Sequence, residues 1–229
     1  MCKVKNPLIA SIVFLFLMGS SGPIYSQGEG GRRLTTPIGD IAFEVVGQVT
    51  NPSSTTSKQY GYLTLINGLS ADQIFTIADP TMQNEATALF TFFTDAITER
   101  VIANGRLRIV NRVGTTTIYF DNTPDGTFAN RDSFSDGVPV LTLNYRQQVI
   151  LDTGDTEGGT FGGTFTVVNL NTVTEVQPFE IGGERFRLGK KRDQFRVFYS
   201  GAPPTAAPPP NGVFAGYAVA IEPAKPEPE

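Results

Sequence analysis

Hydrophobic and polar residues alternate with a period of two along most of the chain. Over residues 39–50, Ile41, Phe43, Val45 and Val49 share one face, while Glu44 and Gln48 take the other, the signature of a half-buried strand. Residues 59–69 carry Tyr60, Tyr62 and β-branched neighbours, and the loop Asn51-Pro52-Ser53-Ser54-Thr55-Thr56 predicts that these two strands pair as a hairpin. Residues 115–121 and 138–152 alternate most cleanly, and strands are also expected over 164–176, 179–188, 194–199 and 213–221. Asn104-Gly105 is a hairpin signal, and Gly189-Lys190-Lys191-Arg192-Asp193 reads as the turn joining 179–188 to 194–199.

Residues 85–101 fit two templates. Ala86, Leu89, Phe90, Phe93, Ile97 and Val101 form a helical stripe, but Thr87, Thr91, Thr94 and Thr98 interrupt it. β-Branched side chains are stiff in helices and pack well on a pleated sheet, so a strand is the expected outcome. The total is about nine or ten short strands separated by turn signals, which predicts an all-β fold: a single antiparallel β-barrel or a β-sandwich.

The ends of the chain divide it further. Lys3 and Lys5 precede an apolar run from Leu8 to Met18, and Gly19-Ser20-Ser21 and Pro23 follow. That run is shorter than the ~20 residues a spanning helix needs. Residues 1–26 are therefore expected to be a cleaved signal peptide, leaving a secreted, periplasmic or extracellular protein with no membrane span. A flexible lead-in over 27–38 and an all-β domain over 39–201 are expected next. A Pro-rich spacer over 202–212, a terminal strand over 213–221 and a disordered tail over 222–229 complete the order.

Composition then removes chemistry. The one cysteine, Cys2, lies within the signal, and the chain has no histidine and no tryptophan. Ser-His-Asp and Cys-His sites are excluded, and a zinc centre loses its usual ligands. Without Lys3 and Lys5 the chain carries 16 basic against 22 acidic residues, a balance that argues against nucleic acid as a partner.

Three surfaces are candidates. Asp121, Thr123, Asp125, Gly126 and Asp132 match positions of a calcium loop, and calcium is the only cofactor such a loop suggests; Pro124-Asp125-Gly126 also makes an ordinary hairpin turn. Arg106, Arg108 and Arg112 share one strand face, and Asn144 and Arg146 lie on the polar face of 138–152, with Tyr145 on its apolar face. In a sandwich such polar faces meet water, whereas in a barrel they could line a site for an anionic or polar small molecule. Arg185, Arg187, Lys190, Lys191 and Arg192 form a basic patch fitted to an anionic polymer or an acidic protein, or serving as edge-strand protection.

Gly158-Gly159-Thr160-Phe161 and Gly162-Gly163-Thr164-Phe165, with the strand rhythm around them, resemble the small secreted barrels of the dirigent and allene oxide cyclase type. That resemblance implies a ligand held in a central cavity and transfers no active-site residue. The functional expectation is a secreted, non-catalytic binding or structural domain. A cofactor-free cyclase-like or isomerase-like barrel enzyme, and a calcium-stabilised adhesion-like module, are the alternatives.

Overall fold

The alternating segments become strands because each can bury one face, and they bury it against one another. The computed structural model describes residues 31–153, 163–202 and 212–225. The expected signal, the first Gly-Gly-Thr-Phe copy and most of the Pro-rich spacer lie outside these residues. Among the described residues the strands are β1 (Arg32–Leu34), β2 (Ile41–Thr50), β3 (Thr56–Ile66), β4 (Phe90–Asn104), β5 (Leu107–Phe120) and β6 (Val138–Asp152), followed by β7 (Phe165–Val176), β8 (Phe179–Ile181), β9 (Glu184–Leu188), β10 (Gln194–Ala202) and β11 (Gly212–Ile221).

Eight of these strands close into an antiparallel barrel in the order β10-β11-β2-β3-β4-β5-β6-β7. The open choice between barrel and sandwich is thus decided. Terminal strand β11 is part of the wall, because it pairs with β10 on one side and β2 on the other and so closes the circle. The ambiguous segment is strand from Phe90 onward, as the threonines indicated. Phe90, Phe92, Thr94 and Ala96 are buried on the lumen side of β4, and Thr94 Oγ1 lies 2.8 Å from Thr116 Oγ1 across the β4–β5 pair.

The remaining strands form a small sheet in the order β1-β9-β8. This corrects two expectations. The lead-in contains a strand, since Arg32–Leu34 runs parallel to Phe186–Leu188. The segments 179–188 and 194–199 are also not a hairpin. Gly182 and Gly183, both at positive φ, turn β8 back onto β9, while β10 belongs to the barrel and pairs with β7 and β11. A sheet has two kinds of neighbour, and period-two alternation does not say which strand a segment pairs with.

The strand directions place the connections 67–89, 121–137 and 177–193 at one end of the barrel, called lower here. The hairpins 50–56 and 104–107 lie at the upper end. Aromatic rings plug the lower end: Phe90 lies 5.2 Å from Phe120 and 5.3 Å from Phe179, and Phe179 lies 5.8 Å from Phe186. Phe90 and Phe186 are wholly buried, so the small sheet contributes its apolar face to the same core. Such offset and edge-on ring pairs add about 0.5–1.5 kcal/mol each beyond the area they bury.

Close strand approach depends on Gly61, which faces Gly47 across β2 and β3. A Cβ at Gly61 would stand 2.1 Å from the Val46 carbonyl oxygen and 2.6 Å from Gly47 Cα, both backbone atoms that cannot swing aside. Overpacking of this kind costs about 1–3 kcal/mol. Gly61→Ala should therefore lower the urea midpoint with the slope unchanged. An unchanged midpoint would show that the two strands can separate at no cost.

Candidate functional site

An eight-stranded barrel has an interior just wide enough for its own side chains or for one small ligand. What fills it here is decided by the residues at lumen-facing positions. In the lower half these are apolar: Phe43, Leu63, Phe92, Ile118, Leu143, Phe195 and Val197, while Phe214 lies higher, stacked 4.4 Å from Tyr199. Above them polar residues join the lumen-facing positions, beside the apolar Val149, Phe165 and Val167. Gln59 on β3, Tyr145 and Gln147 on β6, Asn169 and Asn171 on β7 and Tyr199 on β10 are all buried.

These groups satisfy one another across the lumen. Gln59 Nε2 donates to Tyr145 Oη at 2.6 Å and to Gln147 Oε1 at 3.4 Å. Gln147 Nε2 donates to Tyr199 Oη, and Tyr199 Oη donates back to Gln59 Oε1 at 2.5 Å. The three side chains thus close a ring of hydrogen bonds, each donor polarising the next. Arg112 lies above the ring and donates to Gln147 Oε1 at 3.3 Å and to Asn51 Oδ1 at 2.9 Å. Its Nε is buried without a partner, as are Asn169 Oδ1, Asn171 Oδ1 and Ser57 Oγ.

Burial sets the protonation of this tier. It pushes the Tyr199 hydroxyl up to about 12, and pushes Tyr145 well above the ordinary tyrosine value, with the neighbouring Tyr199 raising it further. Burial also lowers the proton affinity of Arg112, which the two tyrosine hydroxyls partly restore. Arg112 makes no ion pair with a described residue. Both tyrosines therefore remain neutral donors at physiological pH, and the tier holds no general base poised near neutrality.

A cavity of about 60 Å³ lies between the apolar half and the polar tier, with Asn169, Asn171, Gln59 and the two tyrosines on its polar side. Pockets for drug-sized ligands run to ~300–1,000 Å³. The cavity has room for several waters or a guest of a few heavy atoms.

Of the residues expected to line a ligand site, the structure brings Arg112 and Tyr145 into the lumen. Asn144 and Arg146 are exposed on the outer wall, because β6 buries its apolar face inward. Arg106 sits at the β4–β5 hairpin end, where its guanidinium grips Asp152 twice, at 2.7 Å and 2.5 Å. Arg108 donates to the Gly105 and Leu107 carbonyls at 2.9 Å and 3.2 Å, within the same hairpin. Gln59, Gln147, Asn169, Asn171 and Tyr199 were not foreseen. Their signal is a polar residue at an apolar parity: Gln147 lies between Tyr145 and Val149 on the inward series, and Asn169 and Asn171 between Val167 and Val173.

The acidic loop folds back over the outside of β3 and β4 and does not project as a simple hairpin loop. Phe134 stacks 5.5 Å from Tyr60 and 5.0 Å from Phe128, and its carbonyl accepts from Thr91 Oγ1 at 3.0 Å. The fold gathers Asp121, Asp125 and Asp136, whose carboxylate oxygens lie within 4.8 Å of one another. Asp132 is elsewhere, paired with Arg131 at 3.3 Å, and Thr123 donates its backbone N–H to Asp121 at 2.9 Å. Partial burial and the charges of Asp125 and Asp121 raise the Asp136 pKa. Exposed carboxylates gather in this way without a cation, and no other described group points to one.

In the basic patch, Arg185 and Arg187 flank the buried Phe186 on β9, Lys190 and Lys191 are exposed, and Arg192 donates to the Ala224 carbonyl. Edge-strand protection does not describe Arg185 and Arg187, since β9 is the middle strand of its sheet.

Comparison with family models, with curated proteins and with solved structures finds no match.

The raised tyrosines give a pH dependence whose sign is fixed. Between pH 10 and about 12 the unfolded chain releases the Tyr199 proton while the folded state keeps it. Folding stability therefore falls as pH rises through that window, at roughly 1.4 kcal/mol for each step of one in pH. Denaturant midpoints measured across that range should fall less steeply for Tyr199→Phe. An identical alkaline slope in the variant would place Tyr199 in solvent.

Proposed function

We propose that the protein is an exported, non-catalytic barrel that holds a small molecule in its lumen. The reading rests on one observation above all: a lumen cavity with apolar walls on one side and buried amide oxygens on the other. Asn169 Oδ1 and Asn171 Oδ1 have no hydrogen-bond partner among the described residues, although both residues are buried. A buried polar atom left unpaired costs about 1–3 kcal/mol, which a guest that donates a hydrogen bond offsets. The fitting ligand has a hydroxyl or amine directed at the asparagines and a small apolar body against Phe92, Leu143 and Val197.

A binding role is favoured over catalysis by the protonation of the lumen. Among the described residues no lysine or carboxylate lines the cavity, and burial raises the pKa of both tyrosines. Export is supported by the charged and apolar pattern of the first residues. Partner surfaces of the basic patch stay outside this reading.

Ethanol and propane are nearly the same shape and differ by a hydroxyl in place of a methyl, so they test the proposal. In an NMR titration at millimolar concentration, ethanol should shift the side-chain amide signals of Asn169 and Asn171, and propane should shift them less. Ala218→Leu, which adds bulk at the cavity wall, should abolish both responses while the fold is retained. Absence of any lumen response to either compound in the unsubstituted protein would end this reading.

A further inference from the structure

A second concavity lies on the outer wall, and its lining reaches Arg112, Gln147 and Asn169 of the lumen tier. A recess of about 710 Å³ opens where the outer wall crosses β4, β5, β6, β7 and β10. Arg100, Arg146 and Arg196 border it, Asn111 and Gln148 stand between them, and Leu170 contributes to its floor. Its volume falls in the ~300–1,000 Å³ range of ligand sites, which that of the lumen does not.

Strand register spaces the charges. Arg146 and Arg196 both pair with Leu170, from opposite sides, so they lie two strand spacings apart, roughly 10 Å between Cα atoms. Neither makes an ion pair or a side-chain hydrogen bond with a described residue. Arg100 faces a neutral partner: with the Asn111 amide oxygen turned toward it, its Nη2 and Nε lie at 2.7 Å and 3.0 Å. Glu99 is the one carboxylate in the lining. Three guanidinium groups on one face thus meet a single lining carboxylate, in a chain whose net charge is negative.

We propose that this recess binds an acidic saccharide, a chain of uronate or sulfated sugars. Guanidinium groups engage carboxylates and sulfates through two parallel hydrogen bonds. Their spread over several strands matches an anion that repeats along a chain better than one compact ion. Asn111 and Gln148 provide both donor and acceptor for the hydroxyls between the acid groups. Leu170 and the neighbouring Val168 offer an aliphatic surface to the sugar ring.

The test uses the full chain and calorimetric titration with oligogalacturonate at low salt, with a neutral galactose oligomer as the comparison. The acidic oligomer should bind, with affinity falling as salt rises, and the neutral one should not. The double variant Arg146→Gln, Arg196→Gln should bind roughly tenfold more weakly or worse, equivalent to about 1.4 kcal/mol. Both side chains are exposed, so its circular dichroism and melting temperature should match those of the unsubstituted protein. Arg146→Lys, Arg196→Lys keeps the charge without the planar fork and should fall between the two. The control Lys190→Gln, Lys191→Gln should bind normally. The proposal fails if the unsubstituted protein does not bind the acidic oligomer, if the glutamine pair leaves binding intact, or if the lysine control removes it. It also fails if inorganic phosphate binds as tightly and displaces the oligomer, which would make the recess a simple oxyanion site. Ethanol binding in the lumen is read separately, at the Asn169 and Asn171 side-chain amides and through Ala218→Leu.

Discussion

The structure depends on a constraint that follows from closing the sheet. Once eight strands form a circle, every inward side chain is removed from water and must find its partners inside. The ring made by Gln59, Gln147 and Tyr199 meets that demand with side chains from three strands that are not adjacent in sequence. It ties β3, β6 and β10 together across the lumen, where backbone ladders reach only adjacent strands. Losing one member strands the others, since an unmet buried donor costs more than the bond contributes when made. The tier therefore fixes the barrel cross-section, and with it the cavity beneath.

Above and below the tier the lumen differs in kind. The lower end is sealed by phenylalanines from the barrel and from the small sheet, a closure that depends on shape and apolar area. The upper side carries Arg112, held by neutral amide oxygens from Gln147 and Asn51. Among the described residues this guanidinium is held by dipoles without an ion pair, and its Nε is one of several buried polar atoms left unpaired. The cavity thus lies between a firm apolar floor and a polar tier with spare acceptors.

Much of this was legible in the alternation. The bounds 138–152 coincide with β6, and the threonines of 85–101 pointed to strand because their branching suits a pleated surface. The inward turn of Arg112 was not fixed by its strand face, since Arg106 and Arg108 share that face and stay at the hairpin end. The small sheet was not legible, because pairing of β9 with Arg32–Leu34 joins segments more than a hundred residues apart. Most of the polar tier also escaped notice, for a different reason. Gln147 and Asn169 sit at apolar parity, and reading each strand by its majority face treats such residues as exceptions. In a barrel those exceptions converge, since inward positions of all strands share one axis. Asp136 joined Asp121 and Asp125 only because Phe134 anchors the loop against Tyr60, a contact that no local pattern announces.

The outer wall shows the complementary case. Asn144, Arg146 and Gln148 take the water-facing side of β6 because its other side supplies Leu143, Tyr145 and Gln147 to the interior. Ordinary alternation thus generates both a lumen cavity and an arginine-rich exterior. The central claim is that the Gln59–Gln147–Tyr199 ring is a persistent, water-excluding layer. Hydrogen exchange of the Gln59 and Gln147 side-chain amides, followed by NMR, measures this directly. Protection approaching that of the most slowly exchanging barrel backbone amides is the predicted result; exchange as fast as that of the exposed Gln148 side chain would contradict it.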